Sequence, residues 1–143
     1  MDKNQRITLT RKFEFSASHR YWKKDWSEEK NNEVFGPCTS PYGHGHNYDL
    51  YVTLTGPVDR NTGMIINLTQ LKSIVNDILK DFDHKFLNMD TPYFQERIPT
   101  TENIAAVLFN LIDGKLSTNT GQVKLSRIRL YEMQNLYADV WRD

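Results

Sequence analysis

The chain has little of what usually sorts a protein at first sight. Among its 143 residues there is one cysteine, Cys38, so no intrachain disulfide can form. A chain of this length can bury a core without such a staple. It has no excess charge of either sign. Its 18 Lys and Arg balance 18 Asp and Glu, which argues against a broadly basic nucleic-acid surface or a polybasic membrane binder. Long apolar runs are missing too. The longest, Ile104 to Phe109, falls far short of the roughly 20 residues a membrane span takes. Residues 1–6 are polar with no apolar stretch behind them, so no signal peptide is expected and the expected location is the cytoplasm. There is no G-x-G-x-x-G, no P-loop, no repeat and no Pro/Gly-rich linker. What remains, 25% charged and 38% hydrophobic residues, reads as one globular domain over residues 1–143.

Hydrophobic periodicity orders the rest. Ile7 to His19 alternates, with Ile7, Leu9, Phe13, Phe15 and Ala17 on one parity, which predicts a half-buried strand. His19 ends that strand on its apolar parity. Arg20 to Tyr42 is polar and holds Trp22 and Trp26, either a hydrophobic plug or part of a pocket wall; a helical turn can start at Ser27. His46 to Thr55 alternates again, and His44 shares the parity of His46. Asn67 is placed to cap a helix carrying Leu68, Leu71, Ile74, Val75, Ile78, Leu79 and Phe82. Thr100 or Thr101 caps a second, with Asp113-Gly114 as its expected end. Val123 to Glu132 reads as a strand whose apolar parity switches midway, the mark of a bulge or of two-sided burial, and Leu136 to Val140 as a last short strand. The order is ββααββ. It predicts an α+β fold, a four-stranded antiparallel sheet with two helices on one face. Such a sheet leaves two open edges, which closure into a multi-chain barrel would remove.

The histidines carry the strongest chemical signal. In His44-Gly45-His46 the two imidazoles stand on one side of an extended segment, as two ligands of one metal must. Gly43 and Gly45 carry no side chain, leaving room for a metal and a substrate to approach. If the first two strands pair antiparallel, His19 meets the other two. Three neutral imidazoles without a thiolate suit Zn²⁺ with an open fourth position. Cys38, six residues before His44, is a fourth ligand, a separate general base or a small buried hydrophobe. Asp83-His84 is a proton relay, or a histidine favoured by the end of a helix. Glu132 falls on an apolar parity, where a carboxylate is costly without a partner. That partner is Arg127 or Arg129, or a ligand with paired N–H donors such as a purine or pterin edge. Glu102 lies where it complements the dipole of the second helix.

Six segments occur together and in order: Phe15-Ser16-Ala17-Ser18-His19-Arg20; Gly36-x-Cys38 leading to His44-Gly45-His46-Asn47-Tyr48; Gly63-Met64 with Asn67-Leu68; Asp83-His84-Lys85; Pro92-Tyr93-Phe94; and Thr100-Thr101-Glu102-Asn103. From about Phe13 to Glu132 the chain resembles the 6-pyruvoyl-tetrahydropterin synthase family. The resemblance implies the tunnelling fold, with three subunits closing a barrel and two trimers stacking into a homohexamer. It implies one Zn²⁺ per subunit on His19, His44 and His46, and Cys38 as the base. Asp83 and His84 would assist from a neighbouring subunit. Glu132 would anchor the pterin, with Thr100, Thr101 and Glu102 nearby. The implied reaction turns 7,8-dihydroneopterin triphosphate, with Mg²⁺ on its triphosphate, into 6-pyruvoyl-tetrahydropterin, in tetrahydrobiopterin-type biosynthesis. Arg20, Lys23, Lys24 and Lys85 are candidates to meet the triphosphate. A sister enzyme making 6-carboxy-tetrahydropterin and a non-catalytic pterin binder are the alternatives. The five residues between Cys38 and His44 match the pyruvoyl type. No nucleic acid or membrane partner is implied.

Overall fold

Strand β1, Thr8–His19, follows the alternation: Phe13, Phe15, Ala17 and His19 are buried while Lys12 and Glu14 are exposed. In a computed structural model, which describes residues 2–142, β1 pairs antiparallel with β2, His44–Thr55, from Thr8↔Thr55 to His19↔His44. Met1 and Asp143, the ends of the expected 1–143 domain, lie outside the described residues. Between the two strands, α1 spans Glu28–Phe35 with Ser27 as its N-cap, and a 3₁₀ turn follows at Gly36–Thr39. The segment expected as a loop with one helical turn is thus largely ordered. Asn31, 0% exposed, organises it. Its side-chain oxygen accepts from the Lys23 N–H, and its amide faces the carbonyls of Lys23, Trp26 and Ser27. Trp26 stacks on Phe35 at 5.7 Å and plugs the segment.

Helix α2, Leu68–Leu79, starts where Asn67 accepts from the Thr69 N–H. It buries Leu71, Ile74, Val75, Ile78 and Leu79, each worth about 1.5–3 kcal/mol against exposure. Leu68, expected inward, is 47% exposed on the first turn. Strand β3, Lys85–Phe86, and the short α3, Leu87–Asp90, follow. Helix α4, Thr101–Asn119, is capped by Thr100, whose hydroxyl accepts from the Asn103 N–H. It does not stop at Asp113-Gly114. Gly114 has open space around it, and Leu116, 1% exposed, anchors the next turn in the core. Strands β4, Lys124–Met133, and β5, Leu136–Trp141, complete the sheet.

The order is β3-β1-β2-β4-β5, five strands rather than the expected four. The additional strand is two residues long and runs parallel to β1, so the sheet is not wholly antiparallel. A two-residue strand carries no period, which is why its sequence gave no signal. The parity switch in β4 is a bulge: Leu125 faces Leu54 and Arg127 faces Thr53, with Ser126 interposed. It lets Leu125, Ile128, Leu130 and Glu132 all turn to the helical side. The two long helices pack there, α4 against β4 and β5 and α2 against α4. The other face is polar, with Thr10 bonded to Thr53 and Lys12 beside Asp49. The sheet is open, and β5 leaves Leu136, Tyr137 and Trp141 exposed at its edge. Among the described residues no helix is long and apolar enough to cross a membrane.

Candidate metal centre and active site

The register His19↔His44 and Ala17↔His46 brings three imidazoles to one end of the β1–β2 pair. Ring centroids lie 4.7 Å apart for His19 and His44, 5.1 Å for His19 and His46, and 5.0 Å for His44 and His46. One ring nitrogen of each falls within 4.8 Å of the others. His19 is fully buried, and its Nδ1 lies 2.7 Å from the Pro99 carbonyl. A carbonyl only accepts, so Nδ1 carries the proton and Nε2 presents a lone pair. Burial pushes the His44 and His46 imidazoles below the ordinary histidine range, and the neighbouring imidazoles add to this against the opposing pull of the Glu132 carboxylate. Both are therefore neutral at neutral pH, the form that ligates metals.

Gly43 shapes this corner. Its φ is +72°, and a Cβ there would lie 2.8 Å from the His19 carbonyl oxygen. Gly45 differs from expectation: a Cβ would make only ordinary contacts, so its lack of a side chain leaves no special room.

Glu132 ends β4 on the same face, 6% exposed. Its Oε1 lies 3.2 Å from His19 Nε2 and 3.6 Å from His46 Nε2. Neither contact has hydrogen-bond geometry, and all three atoms are buried without a partner. The expected alternative, an ion pair with Arg127 or Arg129, does not form at Arg129, which holds Asp139 instead. Two orphaned imidazole nitrogens beside an orphaned carboxylate oxygen are what a cation would satisfy, and a three-imidazole set suits zinc.

Cys38 lies outside the group of converging ligand atoms, with a free, half-buried thiol. Its 3₁₀ turn is tied to the residues after His19: the Tyr21 N–H donates to the Cys38 carbonyl at 2.8 Å, and Arg20 Nη2 to the Thr39 carbonyl at 2.7 Å. Arg20 also stacks on Trp22 at 4.3 Å, so it serves this turn. Thr100 is spent on capping α4, whereas the Thr101 hydroxyl is buried without a partner. Glu102 is exposed in the first turn of α4.

Asp83 and His84 are not brought to the triad. Asp83 accepts from the Ser16 N–H at 2.9 Å, on the edge of β1. His84 Nδ1 lies 2.9 Å from Asp83 Oδ2, and the His84 side chain is 82% exposed. His84 sits at φ 60°, a left-handed conformation that is uncommon without glycine.

Sequence reasoning missed Tyr21. Its ring meets His19 edge-on at 5.3 Å and Phe35 at 5.9 Å. Burial pushes its phenol well above the ordinary tyrosine range; the charges of Glu132, Cys38 and Glu102 add to this, and the Thr101 backbone N–H opposes it. The available signal was parity, since Tyr21 continues the odd-numbered face of His19 one step past the strand.

These features define a class first: an α+β fold whose sheet presents a metal-competent histidine triad beside a buried carboxylate. Residues 8–143 match the family model described as 6-pyruvoyl tetrahydropterin synthase. The chain belongs to this family, whose named members are lyases. It is 41% identical over 128 residues to the human 6-pyruvoyl tetrahydrobiopterin synthase, covering 89% of this chain and 86% of that one. It is 46% identical over 103 residues to the enzyme of the same name from Poecilia reticulata, covering 71% and 70%. The solved structure of Caenorhabditis elegans 6-pyruvoyl tetrahydropterin synthase superposes with a TM-score of 0.90 at 31% identity, over 100% of both chains.

Proposed function

We propose that this chain converts 7,8-dihydroneopterin triphosphate into 6-pyruvoyl-tetrahydropterin and triphosphate, with zinc held by His19, His44 and His46. One observation carries the reading. The orphaned nitrogens of His19 and His46 and the orphaned oxygen of Glu132 converge, and the Cys38 thiol is not among the converging ligand atoms. Family membership and the names of the relatives support the choice of substrate.

Zinc bound there supplies Lewis acidity toward the hydroxyls of the substrate side chain. Cys38, as thiolate, removes a carbon-bound proton, held in place by the bonds from Arg20 and Tyr21 to its turn. Glu132 accepts the paired N–H donors of the pterin edge, and Thr101 offers its free hydroxyl beside it. The triphosphate leaves with the electron pair of its C–O bond. The side chain is oxidised as the ring is reduced, so the electrons balance within the substrate.

The relay of Asp83 and His84 serves the site of a neighbouring copy. The exposure of both side chains, and the bond that ties Asp83 to Ser16 and not to the triad, support that arrangement. The open sheet, with Leu136, Tyr137 and Trp141 bare on its edge, supports closure by further copies into a barrel and a hexamer. Each copy then acts as one catalytic domain.

Mass spectrometry of the product from 7,8-dihydroneopterin triphosphate tests this. The pyruvoyl product is expected. A carboxy product would assign the chain to the sister reaction, and no product from zinc-loaded protein would make it a binder.

A further inference from the structure

Residues 83–88 run along the outer edge of β1 and fasten to it step by step. Asp83 accepts from the Ser16 N–H at 2.9 Å, and the His84 N–H donates to the Ser16 carbonyl at 2.6 Å. Lys85 and Phe86 then pair with Ala17 and Ser18. Beyond Phe86 the backbone turns into α3, and the strip continues through one side chain. Asn88 Oδ1 accepts from the Arg20 N–H at 2.9 Å, and Asn88 Nδ2 donates to the Arg20 carbonyl at 2.9 Å. Both partners are backbone groups with fixed roles, so the orientation of the amide is settled. The side chain stands in for the peptide group of a neighbouring strand, at the point where the chain leaves the sheet.

What Asn88 clasps is the residue that holds the Cys38 turn. Arg20 Nη2 donates to the Thr39 carbonyl at 2.7 Å, and the next N–H along the chain, that of Tyr21, donates to the Cys38 carbonyl at 2.8 Å. Two consecutive carbonyls of the turn thus hang from Arg20 and Tyr21, and Arg20 hangs from Asn88. On its other side the turn is tied to α1, where the Thr39 hydroxyl donates to Asn32. His19 has separate supports, its register with His44 and its bond to Pro99. We infer that Asn88 is a positioning residue for the proposed reaction: acting through Arg20, it sets where the Cys38 thiol stands relative to the histidine triad. This rests on the reading of Cys38 as the base. A displaced base slows proton transfer without weakening substrate binding, so loss of Asn88 is read in kcat and not in KM.

The test uses zinc-loaded Asn88→Ala protein beside Arg20→Ala, Arg20→Lys and the double variant Asn88→Ala/Arg20→Ala. With 7,8-dihydroneopterin triphosphate, Asn88→Ala should lose about tenfold or more in kcat. Its KM and zinc content should stay within about twofold of the parent. Arg20→Ala should lose at least as much, and Arg20→Lys, which keeps a donor for the Thr39 carbonyl, should recover part of the loss. Adding Asn88→Ala to Arg20→Ala should cost no more than about twofold further, because Asn88 acts through Arg20. Cys38 is the chain's only thiol, so its alkylation by iodoacetamide, followed by mass, reads the turn directly. Alkylation should run about threefold faster or more in Asn88→Ala, as the turn loosens. An unchanged kcat, an unchanged alkylation rate, additive losses in the double variant, or loss of zinc with Asn88 would overturn the inference and leave the proposed reaction standing. No product from the parent would overturn the proposed reaction, while the alkylation rates would still decide whether Asn88 holds the thiol in place.

Discussion

The imidazole of His19 donates from Nδ1 to the carbonyl oxygen of Pro99 across 2.7 Å. This bond joins the end of β1 to the residue just before the cap of α4. It fixes the tautomer that leaves Nε2 free toward Glu132 and His46. The triad is thus oriented by a carbonyl that no side-chain substitution can remove. Zinc saturating such a site at about 100 times its Kd adds about 2.7 kcal/mol. Stripping the metal with a chelator should therefore lower the melting temperature by on the order of 8 °C, and added zinc should restore it. Calorimetry on His19→Ala should show no response to chelator or zinc. A full response in that variant would place the metal elsewhere.

The two glycines flanking His44 should behave oppositely. Gly43→Ala forces a side chain into a left-handed backbone and against the His19 carbonyl. It should cost about 2 kcal/mol or more and reduce zinc content well below one per chain. Gly45→Ala meets only ordinary contacts in a strand, so melting temperature and zinc content should match the parent. Metal analysis and thermal melting of both variants check this. Equal damage from the two would refute the packing account.

His84 pays for its position with a left-handed backbone at φ 60° while its side chain is exposed. Replacing it by glycine relieves about 1 kcal/mol of strain and adds about as much unfolded-state entropy. His84→Gly should therefore melt within about 2 °C of the parent while product formation falls at least about tenfold. A large drop in melting temperature would make His84 a structural residue.

Much of this was legible in the chain, for reasons that differ from element to element. The odd parity of Phe13, Phe15 and Ala17 survives as the buried face of β1 because a strand with one wet face must alternate. The caps Asn67 and Thr100 were readable because their side chains bond the first turn locally. The end of α4 was not, because Leu116 in the core outweighs Gly114 on the surface. β3 was not, because Lys85 and Phe86 pair by tertiary placement alone. Within the candidate site, the triad follows from parity and register. Glu132 was readable from its parity with Ile128 and Leu130, whereas Tyr21 lay in a stretch that composition marked as loop.

At the far edge, Arg129 grips Asp139 through two hydrogen bonds, 2.8 and 3.0 Å, and its guanidinium lies 4.1 Å from the Tyr137 ring. The Arg129 hydrogen bonds hold the Asp139 carboxyl below the usual carboxylate range, against burial. The stabilisation from a depressed carboxylate is present above its unfolded value, near 3.8, and is lost as pH falls through the folded one. Asp139→Asn should thus melt lower than the parent at neutral pH, with the gap closing as the pH falls below 3.8 and through the folded value. Melting curves of both proteins, stripped of metal, across that range check it. A gap independent of pH would show that the pair contributes by shape and not by charge.

The central claim is a division of labour: three imidazoles hold the metal, and a thiol outside that set moves the proton. It is tested most directly by assaying zinc-loaded Cys38→Ala protein for the pyruvoyl product, with its zinc content measured on the same sample. The account predicts about one zinc per chain and no product above background. Product at the parent's rate, or zinc lost with the thiol, would contradict it.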